Sequence, residues 1–217
     1  MKTDSELQKD VMAELKWVPS IDAAEIGVAV KDGVVTLSGN VDNYKEKWDA
    51  ERAAERVFGV AAVAEEIKVR LPGSSSRTDE EIARAAADAL KWNMQVPHDR
   101  IKVQVQNGWL TLKGEAEWQY QKDAAGDAVR NLMGLLSVSN EITVKPTVQA
   151  VDVKSKIERA LQRNALLDAR RISVEAESNK VILNGNVRTW IEREQAQWAA
   201  WAAPGVSEVQ NNIRIGP

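Results

Sequence analysis

The chain has 217 residues, 44% of them hydrophobic and 28% charged, a composition typical of a globular protein, which excludes wholesale disorder. It contains no cysteine, which excludes disulfides, thiolate metal ligands and a cysteine nucleophile. The net charge of −3 gives no support for a nucleic-acid partner, and none is expected. The amino terminus has no apolar signal region and no segment has the roughly 20 apolar residues of a membrane span, so a cytoplasmic location is expected.

Three segments of the chain share one sequence pattern, a short run of alternating apolar residues that ends in a glycine. The glycines are Gly39, Gly114 and Gly185. The copies align without a gap when the sequence is shifted by 75 residues and then by 71. Repeats of this kind indicate tandem domains. The predicted domains are residues 1–71, 78–145 and 151–217.

Each copy begins with a predicted helix. Leu7, Val11 and Leu15 have the spacing of one apolar helix stripe, and the matching positions of the other copies are also apolar. Asp4 and Asp79 are well placed to cap the first two of these helices, because an aspartate carboxylate accepts free backbone N–H groups. The third copy has Ser155 near this point.

A hairpin follows the first helix. Apolar residues alternate on both sides of Asp32-Gly33, which is typical of two strands joined by a type I′ turn. The second copy has Asn107-Gly108 at this turn, and the third has Ser178-Asn179. Asparagine tolerates the left-handed conformation best among residues other than glycine, so the third hairpin is also expected to form.

The second helix of each copy carries small residues, such as Ala50 and Ala53, on its inner face, and it is expected to end at Gly59, Gly134 or Gly205. An alternating apolar strand closes each copy. The predicted fold class is α+β: three tandem α-β-β-α-β two-layer sandwiches, each a three-stranded mixed sheet with two helices on one face. At about 65–70 residues, near the lower limit for independent stability, the copies are expected to lean on one another.

The order of elements, the "V-x-L-x-G" strand ends, the glycine after the second helix and the pattern Val138-x-Asn140-x-Ile142-x-Val144 resemble the BON domain family. The resemblance covers nearly the whole chain, three times. The third copy has the late asparagine as Asn211, whereas the first has Glu65. The resemblance implies a non-enzymatic bacterial module associated with phospholipid or membrane-surface attachment, with osmotic and envelope stress and, in one relative, with potassium.

No residue pattern predicts catalysis, a cofactor or a metal site. His98 is the only histidine, and its place in a loop favours a solvated residue. Glu65 and Glu66 are neighbours on a strand and point to opposite faces, so they make a poor acid–base pair. Gly39 and its two counterparts could line a ligand site, but a tight strand-to-helix turn explains them as well and is preferred. The chain is therefore expected not to be an enzyme.

Eight of the eleven aromatic residues are tryptophan. By helical phase, Trp190, Trp198 and Trp201 point outward from the second helix of the third copy. Trp48 is similarly outward in the first copy, and Trp109 should face the open side of the second sheet. Such a surface would either pack against another copy or a second chain, or bind a membrane surface or a client protein. Trp17 and Trp92 match each other at the end of a helix, which suggests a structural role.

The third copy also has a distinct charge. Residues 146–217 carry ten Lys and Arg against eight Asp and Glu, a net charge of +2, whereas residues 1–71 carry ten against fourteen, a net charge of −4. Lys156, Arg159 and Arg163 share one flank of its first helix and are either a solvated face or a contact for acidic lipid headgroups.

These features predict a stress-related module that binds an extended surface, with acidic phospholipid as the leading candidate. The first alternative is a protein scaffold or holdase-like chaperone, which would use the same tryptophans to bind protein clients or to self-associate. A potassium-type ion sensor is the second, because ion binding by backbone oxygens leaves little trace in a sequence.

The composition of the connection between the first two copies gives the first testable prediction. Pro72-Gly73-Ser74-Ser75-Ser76 is typical of a flexible linker, whereas residues 145–150 contain no glycine and are expected to be stiffer. Brief digestion with a protease of broad specificity should cut first within residues 72–77, as read by mass spectrometry. First cuts inside a predicted helix would contradict the assigned boundaries.

Overall fold

The computed structural model describes residues 2–146, 152–164 and 168–216. Each of the three copies contributes two helices and three strands. The helices are α1 Asp4–Trp17, α2 Tyr44–Arg56, α3 Asp79–Trp92, α4 Gln119–Arg130, α5 Val153–Arg163 and α6 Trp190–Trp201. The strands are β1 Ile26–Lys31, β2 Val34–Val41, β3 Ala62–Val69, β4 Ile101–Gln106, β5 Trp109–Ala116, β6 Ser137–Val144, β7 Ile172–Glu177, β8 Lys180–Val187 and β9 Glu208–Ile215.

Each domain has its own three-stranded mixed sheet, which confirms the predicted fold class. The first two strands form the predicted hairpin, and the third strand lies parallel to the second, which is central. All three sheets keep the same register: Gly39, Gly114 and Gly185 each pair with an isoleucine on both neighbouring strands. Both helices of a domain pack on the same core, so the other face of the sheet stays open.

The predicted apolar stripe of the first helix is confirmed, since Leu7, Val11 and Leu15 are buried with their counterparts in the other domains. The predicted caps are wrong by one residue. Thr3 and Thr78 cap α1 and α3, each in a capping box with the glutamate three residues later.

Asp4 and Asp79 have a different task from the one expected. The carboxylate of Asp79 accepts the N–H groups of Asn107 at 2.7 Å and Gly108 at 2.9 Å, so it holds the hairpin turn against the start of the helix. Asp4 does the same for Asp32 and Gly33. Ser155 lies inside the first turn of α5 and donates to Asp152.

The three repeated glycines lie inside the central strands, not in a strand-to-helix turn as preferred above. A Cβ built on Gly114 would lie 2.0 Å from the carbonyl oxygen of Arg100, and its φ of 139° disfavours any side chain. The same approach occurs at Gly39 and Gly185. These glycines therefore serve the common fold, through a close backbone approach.

The second helix ends earlier than expected in every domain. Helix α2 ends at Arg56, α4 at Arg130 and α6 at Trp201, each three or four residues before the expected glycine. Gly59, Gly134 and Gly205 have positive φ and lie in the turn that leads to the third strand.

The late asparagine of the third strand ties that strand to the second helix. Asn140 donates from Nδ2 to the backbone oxygen of Lys122 at 2.6 Å, and Asn211 donates to Gln197 at 2.9 Å. In the first domain Glu65 pairs with Lys47 at 2.7 Å, and Lys47 also donates to the backbone of the same strand. An ion pair thus replaces the amide, which explains the departure of the first copy.

The connection between the first two domains is less irregular than its composition predicts. Gly73–Ser75 forms a 3-10 turn, and the Arg77 guanidinium donates to the backbone oxygens of Ser74 and Ser76. Most of the second predicted linker, residues 147–150, lies outside the described residues.

The glycine geometry gives the second prediction. Replacing Gly114 with Ala should destabilise the second domain by roughly 2–4 kcal/mol, because the added Cβ meets a backbone oxygen and φ is positive. Gly73→Ala is the matched control, because nothing lies within 4 Å of its Cβ position. Urea unfolding followed by circular dichroism measures both, and equal midpoints would contradict this account.

Candidate functional site

The first and second domains meet through aromatic side chains of α2. Tyr44 packs against the core of the second domain, and its hydroxyl interacts with the backbone of Val138. The pKa of Tyr44 is raised because burial disfavours the phenolate. One turn further on, the Arg130 guanidinium lies 3.8 Å from the centroid of the Trp48 ring, in a cation–π contact.

The third and first domains meet through the equivalent positions. Trp190 packs against the core of the first domain and donates from its indole Nε1 to the backbone oxygen of Val60 at 3.0 Å. Glu194, one turn further along α6, pairs with Arg52 of α2. Tyr44 and Trp190 occupy the same position of the repeat, as do Trp48 and Glu194.

These matching contacts join the domains head to tail in cyclic order around a cleft lined by residues of α2, α4 and α6, an arrangement called here the domain ring. In each junction the start of one second helix faces the second half of another, from the third domain to the first and from the first to the second. The ring closes between the second and third domains, where the start of α4 faces the end of α6 across a shared cleft. Contacts of this head-to-tail type close into rings when the rotation allows it.

The closing junction differs from the other two at its key position. The residue equivalent to Tyr44 and Trp190 is Gln119, which is too small and too polar to fill the same space. Two adjoining clefts of about 340 and 570 Å³ lie here, and both are lined by Gln119, Trp198 and Trp201.

The two clefts have different walls. The smaller one is aromatic, and the larger one is polar and charged. The smaller cleft is completed by Trp118, Tyr120 and Ala202. The larger is completed by Arg52, Asp123, Glu194, Gln195 and Gln197.

Asp123 lies one helical turn after Gln119 on α4 and lines the larger cleft. Gln119 donates to its Oδ1 at 2.9 Å and holds the carboxylate in place. Asp123 remains open to the cleft, yet desolvation by the surrounding walls raises its pKa above the ordinary value. Of the charged residues that line the larger cleft, Glu194 is paired with Arg52, so the lining keeps the negative charge of Asp123 in excess. Lys122 and Arg130 lie near enough to oppose the rise in the pKa of Asp123.

The predicted outward face formed by Trp190, Trp198 and Trp201 does not exist as one exposed surface. Trp190 is covered by the first domain, and Trp201 is half-buried against the core of its own domain. Trp198 is 61% exposed and lines both clefts. Helical phase correctly turned Trp190 and Trp198 away from the core of their own domain, but it was wrong for Trp201, which packs against that core at the end of α6. Packing against another copy accounts for Trp190.

The other predicted surface residues are scattered. Trp109 is 62% exposed on the open face of the second sheet, as expected from its phase. Trp48 is half-buried at the first junction. Lys156, Arg159 and Arg163 are exposed on α5, and Arg159 bonds to Ser155. Whether any of them binds a ligand stays a prediction.

Trp17 and Trp92 contradict the structural role suggested by their match. They are 81% and 86% exposed at the ends of α1 and α3, and Met94 beside Trp92 is fully exposed. Lysines precede both tryptophans, at Lys16 and Lys91. The signal was present in the sequence, because both rings fall outside the apolar stripe of their helices.

Within residues 2–146, 152–164 and 168–216, no group of three or more His, Asp or Glu side chains could hold a metal ion. The same part of the chain contains no helix that is long and apolar enough to cross a membrane. His98 is exposed in a short 3-10 turn.

The three equivalent sheets, each with its two helices, define a protein built of three small α/β modules. The family model described as "BON domain" matches residues 3–70, 78–146 and 149–217. The chain therefore belongs to the BON domain family.

One relative is the osmotically-inducible protein Y of Escherichia coli (strain K12), which is 30% identical over 151 residues, covering 65% of this chain and 73% of the relative. Among solved structures, the C-terminal domain of CdsD, a structural protein of the type III secretion system of Chlamydia trachomatis, is 15% identical over 100% of both chains with a TM-score of 0.27. The PrgH periplasmic domain is 14% identical, covering 89% of this chain and 96% of that one, with a TM-score of 0.23.

The ring contacts give the third prediction. Trp190→Ala should cost roughly 3–5 kcal/mol of stability, because it empties a site on the core of the first domain and leaves the Val60 carbonyl without its indole donor. Amide hydrogen exchange should then rise around residue 60 in the first domain, although the mutation lies in the third. Trp198→Ala, at a 61% exposed position, is the control for loss of an indole. Unchanged exchange in the first domain would contradict the head-to-tail contact.

Proposed function

We propose that this chain is a non-enzymatic, stress-related binding protein that docks on the surface of acidic phospholipid membranes. The stress-related part rests on family membership and on the name of the osmotically inducible relative. The observation that carries the membrane part is the pair of exposed tryptophans at the ends of α1 and α3.

Trp17 and Trp92 have the chemistry of interfacial anchors. A tryptophan more than four-fifths exposed leaves a large apolar area in water, and its amphipathic ring is favoured at the level of lipid headgroups. The preceding lysines, Lys16 and Lys91, can extend their ammonium groups toward phosphates while the rings insert. Met94 adds a flexible apolar side chain next to Trp92.

Trp17 and Trp92 occupy the same position of the repeat, at the ends of equivalent helices. The proposal is that domains joined head to tail present both rings to one surface. The equivalent residue of the third domain is Arg163, which is exposed and has Lys156 and Arg159 on the same helix. Two aromatic anchors and one basic one suit an acidic bilayer better than a neutral one, because clustered basic residues attract anionic headgroups.

A protein scaffold or holdase would use the same exposed rings on a different partner. The difference is measurable, because binding to lipid headgroups requires negative charge on the surface and weakens with salt. Binding to an unfolded client depends mainly on apolar area.

The fourth prediction follows from this difference. Sedimentation with phosphatidylglycerol vesicles should bind the chain, phosphatidylcholine vesicles should bind it weakly, and salt should reduce binding. The double variant Trp17→Ser with Trp92→Ser should lower vesicle affinity by at least about tenfold, because each buried ring contributes on the order of 2 kcal/mol. Trp109→Ser, which removes an exposed ring from the open sheet face, is the matched control.

Two outcomes would overturn the proposal. The first is equal binding to acidic and neutral vesicles. The second is a double variant that binds acidic vesicles as well as the unaltered chain does. If the double variant instead loses the ability to keep an unfolded model client in solution, Trp17 and Trp92 would be assigned to client binding, as the holdase alternative expects.

A further inference from the structure

The cleft at the closing junction is a gap in a pattern that the other two junctions complete. Tyr44 and Trp190 each insert a ring from the start of a second helix into the neighbouring domain. Gln119 holds the equivalent position and leaves the space beside Trp198 and Trp201 open. The residue type at this one position of the repeat therefore distinguishes the two filled junctions from the open one.

From this gap we infer that the closing junction is a binding site for a small alkylated ammonium cation, such as a quaternary ammonium compound. The ligand would occupy the space that the side chain of Tyr44 or Trp190 fills at the other two junctions. The smaller cleft, at about 340 Å³, lies within the range of small-molecule sites.

The walls of the cleft select the chemical class of the ligand. Trp118 and Tyr120 come from the start of α4, and Trp198 and Trp201 come from α6, so aromatic rings from two domains face one space. Aromatic rings that surround a site attract alkylated ammonium groups through the negative faces of their π systems, and the methyl groups fill the apolar volume.

The charges around the cleft favour a cationic ligand over an uncharged aromatic one. Asp123 lies in the wall of the adjoining larger cleft, and Gln119, which lines both clefts, holds its negative charge in place by a hydrogen bond. Arg52 is engaged by Glu194 and Glu55, so its charge is already balanced. A bound cation would be attracted to the Asp123 carboxylate next to it, whereas an anion would be repelled by that carboxylate and by the negative faces of the rings.

The site is independent of the proposed membrane surface. Trp17 and Trp92 lie at the ends of α1 and α3, whereas the cleft is built from α2, α4 and α6. Failure of one proposal therefore leaves the other standing, and the variants that test them do not overlap.

The fifth prediction uses choline and its neutral isostere 3,3-dimethylbutan-1-ol, titrated by calorimetry into the full chain. Choline should bind at least about tenfold more tightly than the isostere, because the two have the same shape and only choline carries a charge. Indole Nε1–H signals of tryptophans at the cleft should shift on binding. Equal affinities for the two ligands, or no binding of choline, would overturn the inference.

Three variants locate the site. Gln119→Trp restores the ring found at the equivalent position of α6 and should abolish choline binding without loss of stability. Gln104→Trp, which adds a ring at an exposed position of β4 outside both clefts, is the matched control and should leave choline binding within about threefold of the unaltered chain. Asp123→Asn should weaken choline binding by roughly threefold to tenfold and leave the isostere unaffected, because only the charge is removed.

A Gln119→Trp chain that still binds choline would place the site elsewhere and overturn the inference. Tighter binding of p-cresol, a neutral copy of the tyrosine side chain, than of choline would also overturn it, since the cleft would then accept a ring. If Gln119→Trp fails to fold, the comparison of Asp123→Asn with the unaltered chain decides the question.

Discussion

The arrangement of this protein depends on one contact, the insertion of a ring from the start of a second helix into the neighbouring domain. Domains of about 70 residues bury too little apolar surface to be strongly stable by themselves. Tyr44 and Trp190 each extend the core of an adjacent domain, so the cores are completed across the junctions. The Trp48–Arg130 stack and the Arg52–Glu194 ion pair then fix the same helices one turn further along.

The head-to-tail arrangement of the domains also makes the three copies unequal. Shared positions, such as the glycines of the central strands, keep one backbone in all three domains because a carbonyl oxygen approaches too closely for any Cβ. Positions at the junctions are free to differ, because each meets a different neighbour. The exchange of a ring for Gln119 at one of them leaves the shared fold intact and opens a cleft with aromatic walls.

The structure therefore divides the tryptophans into groups with different surroundings, which the amino-acid sequence alone does not distinguish. Trp48 and Trp190 hold domains together, and Trp198 and Trp201 line the cleft. Trp17 and Trp92 are left in water at the ends of their helices. A surface ring of this size costs free energy in contact with water unless a partner covers it, and this connects their exposure to the proposed membrane surface.

The sequence by itself determined the repeat, the order of elements, the hairpins and the apolar stripes, because these depend on periodicity and on turn residues that act over a few positions. It also placed Trp109 on the open face, since alternation along a strand is local. Only the tertiary structure decided that Asp79 holds a hairpin turn, that Trp190 is covered and that Gln119 opens a cleft. The physical reason is that each of these depends on a partner far away in the chain: about 30 residues for the turn, and a different domain for the ring contacts.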